Sequence, residues 1–432
     1  MGIAVACFVS ALYAAALAVF SGEPAHRIWG MCAAGGYGAA GLAALLALAA
    51  ARSRPPGSGW PGRGRDAAVV LSLAGALAAP LAWLAATGLA QPETGVVARS
   101  AALLLRHGTP YLSSVQLAHL ANAPYSYDPY LPVMSLSGLP RAAGAGRVAG
   151  DPRLWLVLGS LVLLGLAFRI SSRHGWARRT AIAATSPVLA LPLAVGGTDV
   201  PVLALMCLGL ACAVRAFRQR WAVVAAVVFG IACAMKYTAW PAIPVVSAML
   251  AARDGARAAA RFAAVAVLTA VAATAATAPA LFAEPAAIAR TGGAVVRNTV
   301  LFPLGLTPAR SPATSPLPGH LLAATGPAGH AAAIGLLAAA LLVIVVSLII
   351  RPPAGAGPAT RRLAVGLALL FTLAPSTRWG YFLYPLGLIG WLALARARRP
   401  ETVVTSEPEP STVETCDTRP AAKHQDSPAP AR

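Results

Sequence analysis

The sequence predicts an all-α protein that threads a membrane many times, and three observations predict it. Apolar runs of about twenty residues recur along the 432-residue chain, each long enough to cross a hydrocarbon core of about 30 Å. Charged residues make up only 11% of the chain and mean hydropathy is +0.68, whereas soluble domains average about a quarter charged residues. The ten-residue segments of alternating polarity that mark a membrane β-barrel are absent. The net charge of +20 does not point to nucleic acid. Its arginines sit in short clusters between apolar runs, which is a topology signal, and no basic patch interleaved with aromatics occurs.

In order, residues 3–20 form the first run; no positively charged stretch precedes it, which favours a retained helix over a cleaved signal. The second run spans 30–51 and is followed by the basic, Pro/Gly-rich loop RSRPPGSGWPGRGRD. A third helix over 67–90 leads into the first long loop, and helices follow over 152–170, 180–195 and 200–216. A hairpin comes next, with arms 221–235 and 240–252 about a turn at Lys236–Ala239. Pro241 and Pro244 make its second arm short and kinked or only partly spanning. Helices over 262–282, 329–350, 363–375 and 381–395 bring the count to about twelve, with a second long loop over 283–328. The tail from Pro400 is polar and Pro-rich, and is expected to be disordered.

The basic residues concentrate in one set of loops, which the positive-inside rule makes cytoplasmic together with both termini. Glu23, Glu93, Asp128, Asp151, Asp199 and Glu284 then fall outside, while Asp66 and Asp254 fall inside. The carboxylates capable of chemistry therefore gather on the extracytoplasmic face. Six cysteines show no C-x-x-C spacing, and five lie in apolar runs as small core residues. Neither a disulfide nor a metal cluster is expected.

The first long loop, from Gln91 to Pro140, concentrates the candidate residues. Glu93, at the membrane boundary, is a candidate general base, since partial desolvation raises a carboxyl pKa; a solvated helix-end acid is the alternative. Residues 96–106 read as an amphipathic interfacial helix with Arg99 and Arg106 on one face, placed to meet lipid phosphates or simply to anchor the helix. The stretch YSYDPYLP sets Tyr127, Asp128 and Tyr130 together, either as a sugar-binding surface or as an interfacial tyrosine belt. Asp199 opens a helix as an N-cap or a substrate contact. Lys236 is the only lysine in the membrane-embedded part, where charge is costly and functional by default, and an ammonium suits phosphate. Arg378, beside Trp379 and Tyr381, could hold phosphate and a sugar ring or serve as a snorkelling anchor. His320, in the second long loop, is a further candidate contact.

No D-x-D, P-loop or H-E-x-x-H occurs. An extracytoplasmic enzyme without a nucleotide site needs a donor delivered within the membrane, and a polyprenyl-phosphate sugar meets that need. The pattern resembles the GT-C superfamily of polytopic glycosyltransferases, and within it glycosyltransferase family 87. The resemblance rests on LLRHGTPY (Leu104 to Tyr111), YDPYLP (Tyr127 to Pro132), GTDVP (Gly197 to Pro201), the lone Lys236 in a hairpin, and WGYFLYP (Trp379 to Pro385). It covers about residues 67–395, leaving residues 1–66 as two extra helices and a basic loop, 67–399 as the catalytic unit and 400–432 as the tail.

That resemblance implies an inverting transfer of a hexose, expected to be mannose, from polyprenyl phosphate to a lipid-linked or glycan acceptor. An outer-loop carboxylate would act as base. The family's usual aspartate is matched here by Glu93, with Asp128 as the substitute. Lys236 and Arg378 would stabilise the phosphate, while Arg99, Arg106, Tyr127, Tyr130, Asp199, His320 and Tyr381 stand beside them as substrate-binding candidates read from the residues themselves. No cofactor is called for, and a divalent metal is left open. The rival readings are a lipid or sugar transporter, whose polar residues would run through the depth of the membrane, and a non-catalytic envelope-assembly protein.

Overall fold

A computed structural model describes residues 1–53, 60–120, 124–172, 174–216, 219–282 and 293–396, the last of these closing the compact unit Met1–Arg396. The tail from Pro400, Glu284 and the second long loop up to residue 292 lie outside the described residues. Among the described residues the protein is all-helical, its one β feature an isolated parallel bridge between Thr314 and Thr377.

Helices form wherever the apolar periodicity puts one. They are α1 (Gly2–Phe20), α2 (Pro24–Arg52) and α3, which runs from Trp60–Leu73 through a π-helical turn, Ala74–Ala78, into Ala79–Thr87. Next come α4 (Pro92–His107), α5 (Pro152–Ser171), α6 (Trp176–Ala184), α7 (Pro187–Val195) and α8 (Asp199–Val214). The remainder are α9 (Gln219–Met235), α10 (Ala242–Asp254), α11 (Ala256–Thr277), α12 (Pro327–Ile350), α13 (Ala356–Leu373) and α14 (Leu383–Arg396). Among the described residues six are long and apolar enough to cross a membrane: α1, α2, α3, α5, α11 and α12.

The differences from expectation have local causes. Helix α2 starts six residues early because Pro24, with φ already helical, sits at its first turn after an extended Glu23. The helix expected over 180–195 is split into α6 and α7, because the residue before Pro187 is driven out of the helical region: Ser186 has ψ 132°. Helix α3 stops at Thr87 because Gly88 takes a left-handed conformation with φ 76°. Thirteen residues make α10 only about 20 Å long.

Helix α8 is the axis of the bundle. Every residue from Val200 to Ala213 is buried, the signature of a helix apolar all round and enclosed by others. It packs on α5 and α9, α9 packs on α11, and α13 packs on α14. The first two helices belong to the same core, since Trp29 and Tyr37 of α2 are buried in it. The Trp29 indole donates to the Ala76 carbonyl at 2.8 Å. Gly36 and Gly75 let α2 and α3 meet backbone to backbone, for a Cβ on Gly36 would lie 2.6 Å from the Gly75 Cα.

The end of the bundle that carries α4 is tied down by Arg153, 1% exposed. Its guanidinium pairs with Asp151 at 2.5 Å and donates to the carbonyls of Leu84 at 2.8 Å and Leu89 at 2.6 Å. The end of α3 is thereby fixed to the start of α5, which sets where the chain enters α4. Arg153→Ala should cost about 3–5 kcal/mol, because it strands a buried carboxylate. Thermal unfolding in detergent checks this, and unchanged melting would refute it.

Candidate active site

The first turn of α4 docks on the turn between α7 and α8. The Gln91 amide donates to the Val195 carbonyl at 3.1 Å. Gly196, with φ 96°, lies against the Thr94 hydroxyl and the Arg153 side chain, leaving no room for a Cβ. This contact brings Glu93, in the first turn of α4, to the same end of the bundle as Asp199, in the first turn of α8. Between them lies a cavity of about 710 Å³, within the range of small-molecule sites.

Two ion pairs line it. Lys236 Nζ lies 2.5 Å from Asp199 Oδ1, and Arg378 pairs with Glu93. Lys236 stands at the end of α9, 3% exposed, with the rings of Tyr130 and Tyr381 each 5.3 Å from its ammonium. Asp199 Oδ1 also accepts from the Tyr384 hydroxyl at 2.6 Å, and Tyr384 accepts from Thr238 at 2.9 Å. Arg378 is aimed by the bridge beneath it, where the Thr377 amide donates to Ala313 and the Ser315 amide donates to Thr377, at 2.9 and 3.0 Å.

Of the sequence candidates, Glu93, Tyr127, Tyr130, Asp199, Lys236, Arg378 and Tyr381 all line this cavity. Tyr127 stacks on Phe302 with ring centroids 4.7 Å apart. Asp128, Arg99, Arg106 and His320 are not among its lining residues. Arg106 is exposed on α4. Arg99 meets backbone where lipid phosphate was one expectation, donating to the carbonyls of Tyr125 at 2.6 Å and Ser126 at 3.1 Å. The His320 ring donates through Nδ1 to the Pro375 carbonyl at 2.9 Å.

Asp128 is 2% exposed and works as a fastener. It accepts from Ser100 at 2.6 Å and from the Tyr130 amide at 2.9 Å, and its own amide donates to Asn298 at 2.8 Å. Together with Arg99 it clamps the Tyr127–Tyr130 turn onto α4. The Leu131 amide donates to the Met235 carbonyl at 2.9 Å, which brings Tyr130 over Lys236.

Residues not singled out in the sequence complete the cavity. His26, at the start of α2, shares a hydrogen bond of 2.6 Å with Gln91, and both line it. Thr198, Tyr237 and Phe302 are also in its wall. A polar His26 beside Arg27 at the start of a long apolar helix was the available signal.

Burial raises the Asp128 pKa from an ordinary 3.8 to about 6. The folded carboxyl therefore holds its proton between about pH 4 and 6, where the unfolded one has released it. Folded protein binds more protons across that window, so stability falls as pH rises through it and levels off above. Melting temperatures of wild type and Asp128→Asn, compared from pH 4 to 8, should diverge in slope only below about pH 6. Parallel curves would contradict a buried, protonating Asp128.

No curated protein and no solved structure matches the chain. The model of glycosyltransferase family 87 does, over residues 130–376. The matched stretch contains Tyr130, Asp199 and Lys236 of the cavity wall and ends two residues before Arg378. It spans more than half of the chain, which therefore belongs to glycosyltransferase family 87 and is a membrane glycosyltransferase.

Proposed function

We propose that this enzyme transfers a hexose, with mannose the first expectation, from a polyprenyl-phosphate donor to a hydroxyl of an extracytoplasmic lipid-linked or glycan acceptor, with inversion. The observation that carries this reading is the meeting of two cations and two carboxylates, with tyrosines, around one cavity.

Lys236 and Arg378 supply the two positive charges that a departing phosphate requires. A phosphodiester donor carries one negative charge, and the phosphate monoester it leaves behind carries up to two. Cations placed where that extra charge develops stabilise the transition state more than the ground state. The carboxylates divide their labour according to their partners. Asp199 is committed to Lys236 and Tyr384, and so orients the ammonium. Glu93 has Arg378 as its side-chain partner. A phosphate that engages Arg378 competes with Glu93 for the guanidinium and frees the carboxylate to take a proton.

The step then balances. The acceptor oxygen forms its bond to the anomeric carbon as its proton passes to Glu93. The bond from that carbon to the phosphate oxygen breaks, and the phosphate leaves with the electron pair between Lys236 and Arg378. Tyr127, stacked on Phe302, and Tyr381 offer apolar faces and hydroxyls to a sugar ring.

The test is transfer of labelled hexose from polyprenyl-phosphate hexose in membranes. Glu93→Gln should lower transfer about 10²–10⁴-fold, the usual contribution of a general base, in protein expressed and melting like wild type. Lys236→Met and Arg378→Gln should each lower it about 10²–10³-fold. Full transfer by Glu93→Gln would remove the base. No transfer by wild type from any polyprenyl-phosphate hexose would remove the donor class.

A further inference from the structure

Helices α1 and α2 lie wholly outside the family-matched residues 130–376, yet α1 walls the active cavity. Val9, Ser10, Tyr13 and Leu17 all line it, and their spacing places them along one side of a helix. Val188 and Leu191 of α7 and Leu386 of α14 also line it. Helix α1 packs chiefly on α2, and the apolar side chains that it, α7 and α14 contribute to the lining give this part of the cavity the character of a slot with apolar sides.

We infer that this slot holds the hydrocarbon chain of a single-tailed polyprenyl phosphate, with α1 as the wall that sets how long a chain is accepted. The inference rests on the reading of Lys236 and Arg378 as the phosphate-holding pair. Three observations carry it. The slot joins the two cations, so one ligand with an anionic head and an apolar tail satisfies both parts. The slot opens sideways, for Val9 and Tyr13, both in its lining, are 60% and 46% exposed; a lipid can enter from the bilayer without lifting its chain into water. The wall is also firm. Gly30 of α2 is pressed so closely on α1 that a Cβ would lie 2.5 Å from the Ala14 carbonyl oxygen, and the Phe8 ring fills the space over Gly41.

Depth along α1 gives the slot a scale. The polar turn after Phe20 leads to His26, which lines the charged part of the cavity. Leu17 is near that turn, and Val9 lies about 12 Å further along the helix axis. A bulky residue at Val9 or Ser10 should exclude only long chains, while one at Leu17 should exclude long and short chains alike. Ser10 suits the position, as its hydroxyl is already satisfied by the Ala6 carbonyl at 2.8 Å.

The test is photolabelling of the full chain in membranes with a polyprenyl phosphate bearing a benzophenone on its tail. This readout needs no sugar transfer, so loss of the transferase reading would not be confused with loss of the slot. Label is expected on the peptide 2–20, reduced at least tenfold by Ser10→Trp and unchanged by Leu12→Trp, which points away at 71% exposure. Competition by unlabelled polyprenyl phosphate, and not by diacyl phosphatidic acid, is expected. In transfer assays Ser10→Trp should lower kcat/KM at least tenfold for a long-chain donor and less than twofold for a short-chain one. Label outside α1, label indifferent to Ser10→Trp, or displacement by phosphatidic acid would each overturn the proposal.

Discussion

The ion pair between Lys236 and Asp199 is the constraint on which the rest of this end of the molecule depends. An ammonium set among apolar helices is tolerated only when a carboxylate and further hydrogen bonds meet it. Asp199 is there because α8 is the buried axis of the bundle and the acid stands in its first turn, where the positive end of the helix dipole favours it. Tyr384, itself held by Thr238, satisfies the acid from behind, while Tyr130 and Tyr381 close over the cation. Holding Tyr130 in place in turn requires the Leu131–Met235 backbone bond and the Asp128 clamp on α4. The Tyr127–Leu131 turn is therefore tied to both α4 and α9, which is what a transfer reaction needs from groups that position its substrates.

Much of this was legible in the sequence where the determinant is local. The helices follow from runs of apolar residues, whereas their ends at Pro24, Pro187 and Gly88 were set by local backbone geometry that the runs did not show. Lys236 stood out because a lone lysine between two apolar arms has few structural explanations. What could not be read was pairing. Asp199 and Lys236 are separated by 37 residues, and Glu93 and Arg378 by 285. Periodicity carries no information about which acid meets which cation. Asp128 shows the same limit from the other side. Among tyrosines in a polar stretch it resembles a surface acid, and its burial is decided by Ser100 and Asn298 arriving from elsewhere in the chain. Arg99 donates to backbone carbonyls, contacts that no side-chain pattern records.

The placement of charge also bears on how the site divides its tasks. Asp199 and Lys236 fall within the family-matched region, whereas Glu93, His26 and the α1 residues come from before it. Arg378 lies just past its end. The cavity is thus assembled from an axis that presents the buried ion pair and from flanking segments that add a carboxylate, a second cation and an apolar wall. Joining them is the docking of α4 on the α7–α8 turn, where Gly196 permits a contact that any side chain would block. Glu93 and Asp199 are thereby held on a common scaffold while answering to different partners. Two carboxylates in one cavity need not compete for one role. Asp199, with a lysine and a tyrosine to satisfy, is costly to detach; Glu93, with an arginine that a phosphate can also claim, is the one whose freedom depends on what has bound.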